Sequence, residues 1–234
     1  MQINQEPLAH FLDKYGIDFS QIERFVSGEK YSAMILTDGK IGICGNVDRS
    51  LNSDLAYYQT PDLQKIDQRI FLNCYYNAKF NNSGNDLGKD LLRVVDFHQY
   101  KQIVMVGNFH PIVTKFEQRE IPADIFDLKE DSAYLQPMSM QKKYLQQADC
   151  VILTATTISN ATFMPIIFST PPDCDIFLLG PSTPMHQDML KYRNIRHLFG
   201  TNFALNNQEL LDIIAAGHGP RYFLKFGNKT MLLS

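Results

Sequence analysis

The chain has 234 residues, of which 44% are hydrophobic and 20% charged, with a net charge of −3. That is ample length for a buried core in one large or two small domains, and it lacks the basic excess of a nucleic-acid-binding surface. The longest apolar runs fall far short of the ~20 residues of a membrane span, and residues 1–20 lack the charged-then-apolar order of a secretion signal. A cytoplasmic location is therefore the expectation.

In chain order, residues 4–15 read as a helix with Leu8, Phe11, Leu12 and Tyr15 on one face and Gly16 as its stop. Strands follow at 22–26, 31–37 and 40–45, the last two joined through Asp38-Gly39, a preferred two-residue hairpin turn. Leu63, Ile66, Ile70, Cys74 and Ala78 then recur at helical spacing and predict a helix with one apolar stripe. The segment 81–90, NNSGNDLGKD, is rich in turn formers and marks a junction. A two-domain reading divides the chain into 1–85 and 86–234.

Beyond the junction the pattern alternates. Strands are expected at 102–106, 123–128, 149–153, 175–179 and 195–199, and helices at 111–118, 138–147, 158–168, 183–192 and 206–215. Five strands separated by helices predict an open parallel sheet. The tail, 221–226 and 230–233 about Gly227-Asn228, predicts a closing hairpin. The fold class is α/β: a small α+β unit, then a Rossmann-like, mostly parallel sheet with flanking helices.

Cys44, Cys74, Cys150 and Cys174 are scattered, three of them in apolar segments, and buried reduced thiols are expected. No CxxC, HExxH or HxxxH spacing occurs among the cysteines and the six histidines, so a preformed zinc cage is not expected.

The polar residues at strand ends carry the functional reading, because ligands of parallel sheets collect at strand C-termini. Thr154, Thr156, Thr157, Ser159, Asn160 and Thr162 crowd the turn after 149–153. One hydroxyl suffices for a helix cap, so the excess predicts an anion or polar-ligand cradle helped by a helix dipole. Asn160 and Thr156 are expected to contact the ligand. Thr162 is expected to support the turn by bonding back to a preceding carbonyl. Gly180, Pro181, Ser182, Thr183 and Pro184 form a second polar strand end, stiffened by its prolines, in which Ser182 and Thr183 can cap the next helix. Gly107, Asn108, Phe109 and His110 follow the strand at 102–106, but a single Gly does not make a dinucleotide phosphate loop. A tight turn with Pro111 at the first helical position explains that loop as well as a ligand contact does. Asp127 ends the second strand, where an acid often accepts from a ribose, and a solvated strand end is the equally plain alternative. No nucleophile–base pair, GxSxG elbow or P-loop is recognisable.

These motifs, with VGNFHPIV at 106–113, FDL at 126–128, HLFG at 197–200 and Asn77-Ala78, resemble in kind and order those of the heavy-metal chelation domain family. Most members of that family are uncharacterised prokaryotic proteins. The resemblance implies an enolase N-terminal-like domain followed by a Rossmann-like one. It also implies a cleft between them in which a small metal-chelating ligand is made or bound, the heavy metal being held largely by that chelator. Ligand-binding residues implied together by motif and position are Asn77, Gly107, Phe109, His110, Asp127, Thr154, Thr156, Thr157, Asn160, Gly180, Pro181, Ser182 and Thr183. His110 and His197 are the metal or acid–base candidates. Two other classes stay open: an enzyme using a nucleoside-containing cofactor such as S-adenosylmethionine, and a non-catalytic scaffold or sensor. A homo-oligomer is open as well.

Overall fold

In a computed structural model, the described residues are 2–46, 51–81, 91–128 and 132–233. The chain opens with helix α1 (Pro7–Tyr15), whose start is set by Pro7 in the first turn. An antiparallel sheet follows, made of β1 (Ile22–Ser27), β2 (Tyr31–Leu36) and β3 (Ile41–Gly45) in the order β1-β2-β3. Asp38-Gly39 makes the predicted turn, with Gly39 at φ +83° and Leu36 N–H bonded to Lys40 O.

Both faces of this small sheet are covered, which is why the successive residues Ala33 to Leu36 of β2 are all apolar and buried. Met34 and Leu36 join the core with helix α2 (Ile66–Lys79). Ala33 and Ile35 instead pack with Leu210, Leu211 and Ile214 of α8 (Gln208–Ala215), a helix from the far end of the chain. At Gly42 the backbone of α2 sits directly on β3: a Cβ there would lie 2.1 Å from Cys74 O and 2.2 Å from Ala78 N.

The predicted junction at 81–90, and with it the division at 85/86, falls on residues 82–90, outside the described residues. Next come α3 (Leu91–Val94), β4 (Ile103–Val106), α4 (His110–Gln118), β5 (Asp124–Phe126), α5 (Gln141–Leu145) and β6 (Cys150–Thr154). After them come α6 (Thr156–Ser159), α7 (Phe163–Ser169), β7 (Asp175–Leu179), β8 (Ile195–Phe203), then α8, α9 (Pro220–Phe223) and β9 (Gly227–Leu233). The second sheet has the order β5-β4-β6-β7-β8-β9; its first five strands are parallel and β9 is antiparallel to β8. The α/β class, with an antiparallel three-stranded unit ahead of a mostly parallel sheet, is the architecture the chain adopts.

Four local expectations are corrected. The helix expected at 158–168 is broken into α6 and α7 by a reversal at Ala161, φ +64°. No α-helix spans 183–192. Thr183 instead bonds Gly180 O and Phe199 O through its hydroxyl, and only a 3-10 turn forms at Gln187–Lys191. The 138–147 helix is a 3-10 turn at Met138–Met140 followed by the short α5. The tail is no hairpin: Pro220–Phe226 is helical, with Phe223 buried, and Gly227–Leu233 pairs along the whole end of β8.

One face of the large sheet (Val104, Val106, Val151, Leu153, Leu178) shares a continuous core with α1, α2 and the face of β2 that carries Met34. The other face packs on α4 through Ile112, Val113 and Phe116. No described helix is long and apolar enough to cross a membrane.

Candidate functional site

From β4 the chain moves outward to β5, then crosses back over β4 to β6 on its other side. The point beyond the C-terminal ends of β4 and β6 is therefore the topological switch point, where the ligands of such sheets collect. Gly107 begins one bank and Thr154 ends the strand on the other. They meet closely: Gly107 has φ +103°, and a Cβ on it would lie 2.9 Å from Thr154 Cβ. The first bank is held by Gly107 N–H to Phe126 O (2.8 Å) and by Asn108 N–H to an Asp127 carboxylate oxygen (2.7 Å). Asn108 Nδ2 donates to Tyr134 Oη at 2.6 Å, and that phenol lies 3.4 Å from Nδ1 of the exposed His110. On the second bank the Thr154 and Thr156 hydroxyls bond each other at 3.0 Å.

Gly107, Phe109, His110, Asp127, Thr154 and Thr156 are thus brought to one place, with Gly180 (φ +128°) at the end of the next strand but one from β4. Asn108 and Tyr134 join them. Asn108 lies inside the VGNFHPIV stretch and was legible there; Tyr134 sits in a segment without periodicity and gave no signal.

The other predicted residues have different partners. Thr157 donates to Thr154 O and Ser159 to Thr156 O, so these hydroxyls close the turn on itself. Ser182 is buried and its Oγ accepts from Gly45 N–H at 3.0 Å, joining the GPSTP loop to β3. Asn77 faces the second sheet and donates to Ile43 O (3.1 Å) and Pro181 O (2.7 Å). Arg69, also buried, donates to Ile158 O and Ser159 O and pairs with Glu6. The small N-terminal unit therefore clamps the ends of β6 and β7, while the ends of β4 and β5 are tied by their own loops.

Asn160 does not open a helix. It caps the end of α6, and its Oδ1 accepts from Thr162 N–H (3.1 Å) and Thr162 Oγ1 (2.6 Å). The Thr162 hydroxyl accordingly bonds the Asn160 side chain rather than a preceding carbonyl, and the pair braces the positive-φ Ala161. The helix dipole at this turn is weak, since α6 is a single turn. Asn160→Ala is now expected to lower stability by about 0.5–1.5 kcal/mol, the cost of a lost hydrogen bond; an unchanged denaturation midpoint would remove its bracing role.

His197 lies on β8, three strand spacings from β4, or about 14 Å at 4.8 Å per strand. His110 and His197 therefore cannot share one ion. Burial beside Phe177 and Phe199 pushes the His197 imidazole below its usual pKa, and its Nδ1 is buried without a partner. Among the described residues, no group of three or more His, Cys, Asp or Glu side chains is disposed to hold a metal ion.

Residues 90–233 match the model of the DUF364 family, whose description is "Putative heavy-metal chelation". The chain belongs to this family. No curated protein matches it. Two solved DUF364 structures, both of unknown function, share its fold. The one from Desulfitobacterium hafniense DCB-2 superposes with TM-score 0.75 at 15% identity, covering 97% of this chain and 96% of that one. The one from Pyrococcus horikoshii gives 0.76 at 19% identity, covering 91% and 93%. At these identities the likeness to those DUF364 members establishes the fold alone.

Proposed function

We propose that this protein binds a small, polar metal-chelating ligand in the crevice at the β4/β6 switch point, between the units 1–85 and 86–234. The observation that carries the reading is the close approach of Gly107 to Thr154. It leaves backbone and hydroxyl groups, rather than aliphatic side chains, at the switch point of the sheet, where the ligands of such folds collect. The Thr154–Thr156 hydroxyl pair supplies a donor and lone pairs, and the imidazole of His110 and the phenol of Tyr134 stand on the opposite rim. Asp127, with one oxygen spent on Asn108 N–H, acts by orienting the loop. The family description supports heavy metal as the cargo, and the scatter of the histidines favours a metal that arrives inside its chelator, whose own donors fill most of the coordination sphere.

The reading is tested by calorimetric titration with nickel, cobalt, copper and zinc salts, each alone and as complexes with multidentate organic chelators. Heat from a metal complex that the free metal does not match supports it; no heat in any combination overturns it. S-adenosylmethionine and nicotinamide cofactors are expected to leave the melting temperature unchanged. A bound cofactor at a hundred times its dissociation constant would add about 2.7 kcal/mol and transfer the site to nucleoside chemistry. Gly107→Ala is expected to weaken ligand binding at least tenfold while costing about 1–3 kcal/mol of stability, since it both strains a positive φ and overpacks Thr154. Ligand affinity equal to wild type in that variant would move the site away from the switch point.

A further inference from the structure

His186 stands two residues after Pro184, at the entrance to the 3-10 turn Gln187–Lys191. Its ring lies among three aromatic side chains, with centroids 4.3 Å from Phe80, 5.2 Å from Tyr15 and 5.9 Å from Phe11. Phe11 and Tyr15 belong to α1 and Phe80 caps the end of α2, so one imidazole joins three separate stretches of the chain.

Both ring nitrogens are used, and their partners fix the tautomer. Nδ1 accepts from the Asp188 N–H at 3.1 Å, which caps the turn, and so carries a lone pair. Nε2 therefore holds the proton, 3.3 Å from Tyr15 Oη, whose own hydrogen goes to Asp188 Oδ2 at 2.9 Å. The bonds make a circuit that starts and ends on Asp188: backbone N–H to Nδ1, Nε2–H to the phenol, phenol to the carboxylate. Only a neutral imidazole completes it, since an imidazolium donates from both nitrogens and accepts at neither.

The surroundings oppose the charged ring as well. Burial is the largest influence and pushes the His186 pKa below its usual value; Lys14, Lys191 and His10 push the same way. The Asp188 carboxylate, 3.8 Å from Nδ1, pulls in the other direction and does not outweigh them. Lys79, the charged residue at the end of α2, is bonded to Tyr15 O. The ring is nevertheless 24% exposed, so a solvent proton reaches it.

We propose that His186 is a proton-sensitive latch: the neutral ring fixes the turn 187–191 against the C-terminal end of α1, and protonation lets that end go. A proton on Nδ1 sets two N–H groups against each other, its own and that of Asp188, and the turn loses its cap. Asp188 also anchors His10, Lys14 and Tyr15 of α1, so its displacement passes to the helix. The unfolded chain takes up this proton with a pKa of about 6.5, more readily than the folded one. The latch is therefore complete above that pH and is lost as the pH falls below it. It does not depend on the crevice ligand.

The test is hydrogen exchange of the α1 amides in the full chain, corrected for the intrinsic effect of pH. In wild type the amides from Phe11 to Gly16 are expected to exchange at least tenfold faster at pH 5.5 than at pH 7.5. His186→Asn removes the titration but keeps the cap, because an Asn Oδ1 accepts the N–H two residues on, as Asn52 does from Asp54 and Asn160 from Thr162. That variant is expected to show equal protection at both pH values. A second measurement needs no substitution: nitrogen NMR of histidine-labelled protein should find His186 as the Nε2–H tautomer, titrating below pH 6.5. Equal protection of wild type at the two pH values overturns the proposal, as does loosening that persists in His186→Asn, an Nδ1–H tautomer, or a titration midpoint at or above 6.5.

Discussion

Leu153→Ala is expected to destabilise the protein by about 2–5 kcal/mol, toward the upper part of the range measured for large-to-small core changes. Leu153 is wholly buried in β6, paired in register with Val106 on β4 and Leu178 on β7, and all three join the continuous core shared with α2. The strands on both sides are fixed by their own ladders, so the void cannot collapse by moving one of them. Urea denaturation followed by circular dichroism measures the loss; a midpoint equal to wild type would show that Leu153 does not face the core.

Asp188→Ala carries the second large effect. The carboxylate is 2% exposed, yet four side chains converge on it: Lys14 Nζ at 2.6 Å, His10 Nε2 at 3.0 Å and Tyr15 Oη at 2.9 Å on one oxygen, and Lys191 Nζ at 2.6 Å on the other. Three of the four come from α1, so Asp188 is what holds that helix to the turn before β8. Breaking a buried ion pair costs about 3–5 kcal/mol, but Lys14 and Lys191 are half-exposed and regain water, which reduces the expected loss to about 2–3 kcal/mol.

The same cluster predicts a pH dependence. Burial by itself would raise the Asp188 pKa, but the bonds from Lys14, Lys191, His10 and Tyr15 outweigh it and hold the group far below the usual carboxylate range. The folded pKa is thus depressed relative to an unfolded value of about 3.9. The stabilisation is complete above about pH 5 and is lost as the pH falls below that. Wild type should lose stability between pH 5 and 3 more steeply than Asp188→Asn, as measured by chemical denaturation at each pH; parallel profiles would mean that Asp188 is not the group responsible.

The sequence by itself determined the features that arise from neighbouring residues. The apolar runs that become β4, β6 and β7, the Asp38-Gly39 turn, the helical period of α2 and the placement of small polar residues at strand ends are all set by local sterics and by period; the single apolar stripe expected of α2 is not what forms, because both sheets pack on it and every residue from Gln68 to Ala78 is buried. These suffice for the α/β class, and the order of the motifs suffices for the family. Only the tertiary structure decided which polar side chains are available. A hydroxyl or amide looks the same in the sequence whether it faces a crevice or a distant backbone group. Ser182 is used by Gly45, Asn77 by Ile43 and Pro181, and Thr183 by Phe199, and each partner lies far enough along the chain that no spacing rule reaches it. Long-range pairing likewise made a single edge strand of the tail, because β8 had a free edge for it, and seated α2 on β3, because Gly42 lets a helix rest on a strand.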